Sequence, residues 1–537
     1  METLAFGIDF RDDTYYIADR TRYDVYFADT ADGPDIMGVG DRVAFLIRNR
    51  RNLTLDFAGA TLFLHGKIQP FFFESCENIT VKNVIVQYDR SSVTEGEIAE
   101  RGDGFLRVRL NPRHTCRVEN GQLIPYSETW ENHELNKYVM FMTALDTQTR
   151  EGLGFTLGLI GRDPWISPDN LWSETADTFD VEDVGNGEIL LRGKKIADCF
   201  RPGATMVLSH EGRTVSSFSC LDCTGVNIVN YRILNGVSMG IMPIHSKNIH
   251  IDGLKMFHDG LSDALTTNGA DGIHCFAVSG EFLIENCVLE GMIDDAINVH
   301  SYFYLVEKAE GNCLTLVFPA IDDTRHKIFS EGERVRVYRG STLSGGVDYT
   351  AKQVTVTDKK HVEILLDRPV EGHQPGDAVE NPDAVCNLTV RNCTFGRSAA
   401  SHARFQNGGK LLIENCETAF PFLLTGDMSF WYEGTYVPDC TVRNCRFVGQ
   451  RANIMAIPEF FPTEDAPYYH RRVTITDCSF DMEKPFLLKY AESLTFRNNR
   501  NAFALPMRGE LVNCGEYCGE GCEVERKTEV KEKLQRN

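Results

Sequence analysis

Leu388-Thr-Val-Arg-Asn-Cys393 and Leu411-Leu-Ile-Glu-Asn-Cys416 stand 23 residues apart and share one pattern: apolar, any, apolar, any, Asn, Cys. The alternation has period 2, so each copy reads as a short strand with one buried face. Asn at the strand end suits a tight bend, because Asn tolerates left-handed backbone and bonds its own main chain. The pattern recurs as Ile79–Val84, Val226–Tyr231, Ile249–Leu254, Phe282–Cys287, Cys440–Cys445, Val473–Cys478 and Leu494–Asn499, with a weaker first copy at Leu53–Ala58. Most intervals fall between 21 and 33 residues. Repeats of that length, built of strands without helical periodicity, indicate an all-β right-handed parallel β-helix with one repeat per coil. Stacked Asn residues would form a ladder at the bend. Cys287, Cys393, Cys416, Cys445 and Cys478 share one repeat position and are expected to stack inward as small apolar residues.

Two gaps break the period. Asn83 and Asn230 are 147 residues apart, and Asn286 and Asn392 are 106 apart. Each gap contains alternating runs, such as Phe105–Leu110, Tyr138–Ala144, Gly187–Leu191 and Thr205–Ser209 in the first. The second holds Leu314–Phe318, Arg334–Tyr338, Gln353–Thr357 and Val362–Leu366. Both gaps read as inserted β-barrel-like domains. The expected organisation is an N-terminal segment with the first coils (1–89), an inserted domain (90–215), coils 216–304, a second inserted domain (305–382), coils 383–505 and a Cys-containing charged tail (506–537). In that tail Cys514, Cys518 and Cys522 lie four residues apart. The spacing could hold a soft metal, but no fourth ligand is evident and it matches no familiar zinc pattern. The residues after them read as a frayed helix or disordered.

The repeat gives meaning to three aspartates. Asp294 and Asp295 form a doublet in Gly291-Met-Ile-Asp-Asp-Ala-Ile-Asn-Val-His300, and Asp271 precedes Asp294 by 23 residues. One coil of separation brings neighbouring strands to about 4.8 Å, so the three carboxyls converge. They cannot all ionise easily, which leaves a proton donor beside an ionised base. Glycoside hydrolysis needs that pair. Two other readings stay open for the aspartates: turn chemistry, with Asp271-Gly272 as a simple turn, and oxygen ligation of Ca²⁺. Asn298 and His300 alternate after the doublet and can share its face as sugar-hydroxyl partners, or be strand residues satisfied by neighbours. His274 follows Asp271 in the same way. Trp431, Tyr432 and Glu433 interrupt the repeat between glycines and suit a sugar platform or core packing. His210 and Arg213 precede the return of the repeat as further site candidates.

Lys+Arg is 55 and Asp+Glu is 77, a net charge of −22. Nucleic acid and anionic membranes need a basic surface, so both are poor partners for this chain. The opening Met1-Glu-Thr-Leu-Ala-Phe-Gly-Ile-Asp-Phe10 has no leader pattern, and a cytoplasmic location is expected, with a trimmed secreted or periplasmic form as the other case.

Three stretches carry a resemblance: Ala270-Asp-Gly-Ile-His-Cys275, Ile284 through His300, and Gly426-Asp-Met-Ser-Phe-Trp-Tyr-Glu-Gly434. Together they resemble glycoside hydrolase family 110, the inverting exo-α-1,3-galactosidases, over most of residues 40–505. The resemblance implies removal of terminal α-1,3-linked galactose from an oligosaccharide or glycoconjugate, with inversion, no metal and no cofactor, by a homodimer. It implies Asp294 as general acid, with Asp271 and Asp295 holding and deprotonating the water. Two alternatives remain. One is a polygalacturonase-like hydrolase or lyase acting on a polysaccharide, although the Gly-His-Gly and Arg-Ile-Lys segments of that type are absent. The other is a non-catalytic carbohydrate-binding β-helix.

Overall fold

The computed structural model describes residues 14–16, 21–36, 38–127, 141–148, 152–158, 179–210, 214–257, 264–320, 328–399, 402–428, 431–459 and 466–528. The chain winds into a parallel β-helix. One sheet of 21 strands carries the Asn-Cys segments, and a second of 14 strands carries the coil's other long strand. A typical coil runs Ser279–Glu285, bends at Asn286-Cys287, continues as Val288–Leu289, and crosses to Ile297–Tyr302 in the second sheet. Each strand pairs in parallel with its copy one coil away, as Phe282 does with Leu388 and Ile284 with Val390. Parallel crossovers of this kind are right-handed.

The bend is built as the repeat predicts. Asn83, Asn230, Asn286, Asn392, Asn415, Asn444 and Asn498 all have φ between 50° and 57°. Their amides form a ladder: Asn415 Nδ2 donates to Asn392 Oδ1 at 3.2 Å, and Asn444 Nδ2 to Asn415 Oδ1 at 2.7 Å. Inside, Cys287, Cys393, Cys416, Cys445 and Cys478 are buried in one continuous core with the alternating Ile, Val, Leu and Phe residues.

The two insertions differ. The first is an antiparallel sheet of seven strands between Val93 and Ser209, with a small hairpin, Cys116–Glu119 and Gln122–Pro125. It has its own core around Ile98, Leu106, Val108, Met142, Leu191, Met206 and Leu208. Of the run expected over 138–144, residues 138–140 lie outside the described residues. The second insertion is a closed six-stranded barrel from Tyr304–Glu310 to Ala378–Glu380. Around both, the helix continues in register: Phe218 pairs with Phe71, and Val299 with Phe405.

The tail departs from expectation. Met507–Val512, Glu516–Gly519 and Cys522–Lys527 pair in parallel with the coils before them, extending the helix to Lys527. Over 523–527 the reading as a frayed tail failed because this strand has charges where others have apolar residues; 529–537 lie outside the described residues. Among the described residues this strand pairs on one side only, with Met507–Val512, and its exposed Glu523, Glu525, Arg526 and Lys527 blunt the other edge. The three tail cysteines do not converge. Cys514 donates to the Leu488 carbonyl, Cys518 is exposed beside Arg497, and Cys522 lies on the final strand.

Candidate active site

Three neighbouring strands of the second sheet carry the site: Ile273–Phe276, Ile297–Tyr302 and Ala403–Gln406. Ile273, Cys275, Ile297, Val299, Ala403 and Phe405 point into the helix core. By alternation, His274, Asn298, His300, Arg404 and Gln406 point outward. The register stacks His274 beside Asn298 and Phe276 beside His300, then Asn298 beside Arg404 and His300 beside Gln406.

The aspartates sit at the N-terminal ends of the first two strands. Gly272 N donates to Asp295 O at 2.9 Å, and Ile273 pairs with Ile297. The local offset is therefore 24, and Asp271 stacks on Asp295 rather than on Asp294. Asp271-Gly272 is not a plain turn. A Cβ on Gly272 would lie 2.7 Å from the Ala296 carbonyl oxygen, so the glycine allows close approach of two coils. Asp271 is fully buried and Asp295 is 6% exposed, whereas Asp294 is half-buried. Burial, with Asp294 next in the chain, pushes the Asp295 carboxyl well above its ordinary range against the pull of Arg404; Asp271 and Glu433 add to the rise.

Polar partners tie the coils together. His274 Nδ1 lies 2.6 Å from Asp271 Oδ2, and His274 Nε2 lies 3.1 Å from His300 Nε2. His300 Nδ1 lies 2.7 Å from the Ser301 carbonyl oxygen. Burial holds His300 down to about 4. Glu433 enters from a short strand that pairs antiparallel with Ser301-Tyr302. Gln406 Nε2 donates to Glu433 Oε2 at 2.9 Å, and Asn298 Nδ2 donates to the same oxygen at 3.2 Å. Burial opposes the Glu433 charge, but its basic neighbours, Arg404 among them, and the Gln406 amide together hold its carboxyl well below the usual range. Arg404 lies among carboxylates, 2.5 Å from Glu459 Oε2, 3.7 Å from Asp295 Oδ2 and 3.8 Å from Glu433 Oε2. Burial works against its charge, and Glu459, Glu433 and Asp295 restore it. His274, His300 and Glu433 each offer a donor atom within 4.8 Å of the others, a group compact enough to surround a cation. The hydrogen bonds just described already engage those atoms.

Asn298, His300, His274 and Glu433 thus join the aspartates. Trp431 and Tyr432 lie beside Glu433, half-buried; the Trp431 amide donates to Asp427 Oδ2 at 2.5 Å, and the Tyr432 carbonyl accepts from the Phe303 amide. His210 is buried at the end of the strand Ala204–Ser209 in the first inserted domain, with Nε2 2.8 Å from Thr94 Oγ1. Arg213 lies outside the described residues. Sequence reasoning missed Arg404, Gln406, Glu459 and Glu95. The signal for the first two was present, since Ala403-Arg-Phe-Gln406 alternates as Ile297-Asn-Val-His300 does. Glu95 gave none: its carboxylate accepts the amides of Leu265 and Thr266 at 2.7–3.0 Å, pinning the segment that leads to Asp271 from a separate domain.

No family model matches the chain. Curated relatives do. It is 26% identical over 491 residues to α-1,3-galactosidase B of Bacteroides thetaiotaomicron, covering 85% of this chain and 74% of that protein. It is 24% identical over 468 residues to α-1,3-galactosidase B of Akkermansia muciniphila, covering 84% and 56%. α-1,3-Galactosidase A of Bacteroides fragilis strain YCH46 is 24% identical over 499 residues, covering 89% and 78%. The chain is similar to these glycosidases over most of its length. The resemblance to family 110 read from the aspartate and Trp-Tyr-Glu stretches therefore stands. Among solved structures, the Pseudomonas phage phi297 tailspike gp61 matches at 10% identity and TM-score 0.27, covering 93% of this chain and 66% of that one; the fold rests instead on the strand pairings.

Proposed function

We propose that the protein removes terminal α-1,3-linked galactose from an oligosaccharide or glycoconjugate by inverting acid–base catalysis. The observation that carries the reading is the stack of Asp271 on Asp295, with Asp294 adjacent and less buried, among Asn298, His300, Arg404 and Glu433. Asp294, on the accessible side, protonates the departing glycosidic oxygen. Asp271 and Asp295, deeper in the stack, hold the water and take its proton. Glu433, fixed by Gln406 and Asn298, presents a carboxylate to sugar hydroxyls, while His274 and His300 hold the set together through their ring nitrogens. Trp431 offers an apolar face to the ring.

A second assignment of roles has one observation in its favour. Burial and Asp294 push the Asp295 carboxyl up, which is the condition of a group that keeps a proton. In that assignment Asp295 is the acid and Asp271 the base.

Incubation with galactose-α-1,3-galactose, followed by NMR of the product anomer, tests the activity. β-Galactose as the first product supports inversion, and α-galactose would replace it with retention. Failure of well-folded protein to release galactose from this or any α-galactoside would overturn the proposal. Aryl galactosides then separate the two assignments, because a variant lacking the acid keeps activity on good leaving groups and one lacking the base does not.

A further inference from the structure

We infer that His274 is a positioning residue that shares one proton with Asp271, held there by a hydrogen-bond chain ending at the Ser301 carbonyl. The inference rests on the reading of Asp271 as a member of the catalytic carboxyl set.

The chain can be followed atom by atom. A carbonyl oxygen only accepts, so at 2.7 Å from Ser301 O the Nδ1 of His300 carries hydrogen. His300 is 2% exposed, with the Glu433 carboxylate 3.7 Å from its Nε2, beyond a hydrogen bond. A neutral ring is the state such a site favours, and it leaves Nε2 bare. The Nε2 atoms of His300 and His274 approach to 3.1 Å, which requires one hydrogen between them, and that hydrogen sits on His274. His274 Nδ1 is then 2.6 Å from Asp271 Oδ2 with its own Nε2 already protonated. A proton lies on that second line as well. The pair is either an imidazolium with a carboxylate or an imidazole with a carboxylic acid. Both forms hold one proton more than a carboxylate facing a neutral Nδ1–H imidazole.

This has a consequence for the stacked aspartates. Asp271 lies one coil from Asp295, and both are buried. The extra proton removes one unit of charge at Asp271, and Arg404 faces Asp295 at 3.7 Å. The two buried carboxyls can thus sit on strands about 4.8 Å apart without full repulsion. The proton also lies on the Oδ2 side of Asp271. The charged groups facing the pair are Asp294 and Asp295 from the next coil, Arg404 from the coil after it, and Glu433 from the antiparallel strand.

Ring ¹⁵N NMR on histidine-labelled, full-length protein reads the protonation of each nitrogen without any need for catalysis. Signals are assigned with His274→Gln and His300→Gln. At pH 7 the expected result is a neutral His300 protonated at Nδ1 and a His274 protonated at Nε2. In His300→Phe the acceptor is gone, and His274 should revert to a neutral ring protonated at Nδ1. In His300→Gln the amide oxygen still accepts, so His274 should keep its Nε2 proton. The acid limb of kcat/KM should shift in pH in His300→Phe, with a loss on the order of 10²-fold, and keep its wild-type pH position in His300→Gln whatever rate that variant retains. A charged His300 with His274 neutral at Nδ1 would overturn the inference. So would a stoichiometric bound metal by mass spectrometry, because both Nε2 atoms would then be bare. If no galactoside is cleaved but the NMR result is as stated, the proton chain stands and the proposed activity falls.

Discussion

Two lines of stacked side chains run along this β-helix, and they obey opposite rules. At the bend of the first sheet, most coils repeat Asn at φ near 55°, and a run of them follows the bend with a buried Cys. On the outer face of the second sheet, every coil is different: Asp271 and His274, then Asp295, Asn298 and His300, then Arg404 and Gln406. The backbone geometry is nearly the same in both. Like residues stack where each bonds its copy and no charge accumulates. Unlike residues stack where charge has to be divided. A groove of about 480 Å³ lies along the Asn bend, lined by Asn392, Asn415, Asn444 and Arg446. It is roomy but contains no functional set, since its amides already bond one another. Room alone does not identify the site; the breakdown of repetition does.

The largest effect should come from breaking the unlike stack at its charges. Asp294→Asn is expected to lower kcat on galactose-α-1,3-galactose by about 10³-fold or more, with a much smaller loss on a 2,4-dinitrophenyl galactoside. Asp271→Asn should lose activity on both substrates. Wild-type turnover in either variant removes that residue from the mechanism.

Next comes the cation that balances the set. Arg404→Met leaves Glu433, Glu459 and Asp295 without their shared guanidinium. Removing one partner from a buried ionic cluster costs about 3–5 kcal/mol, and the lost positioning should lower kcat on the order of 10²-fold. Denaturant midpoints and steady-state rates check both. Replacing a bend residue should never combine the two losses.

Arg404 also marks where sequence reading stopped. The strands and their bends were legible because period-2 alternation and Asn recur in each copy. The aspartates were legible because they sit one coil apart. Arg404 and Gln406 were obscured because the barrel pushes their coil 106 residues along, which hides that they neighbour Asn298 and His300. Glu95 reaches the Asp271 segment from 170 residues away, through a domain with no repeat to count by.

A third test uses pH on stability. Burial lowers His300, His402 and His470 to about 4 and His114 to about 3. Unfolded histidine titrates near 6.5. Between these values the unfolded chain binds protons that the native state does not, so stability falls as pH drops from about 6.5 towards 4. Each group contributes up to ~1.4 kcal/mol per pH unit, and the loss levels off below the folded value. Urea midpoints at pH 7 and pH 5 should differ accordingly. His470→Gln, away from the aspartates and bonded through Nδ1 to the Val437 carbonyl, should flatten that slope without moving the kcat profile. An unchanged slope would mean the native state takes up these protons after all.

The smallest effect should come from the like stack. Asn415 donates to Asn392, accepts from Asn444, and sits at φ 56°. Asn415→Ala loses two exposed amide bonds and places a Cβ in left-handed backbone without local compensation, a cost of about 1–2 kcal/mol. Asn415→Gly loses the same bonds but adopts that backbone freely, so it should lie closer to wild type. If the ladder bonds dominate, the two variants will match. If backbone geometry dominates, glycine will be the more stable by about 1 kcal/mol. In both, kcat/KM should stay within about twofold of wild type, because surface substitutions away from a site rarely exceed a few tenths of a kcal/mol in effect. A larger drop would mean that the bend transmits strain across the coil to the aspartates, and the two stacks would then not be independent.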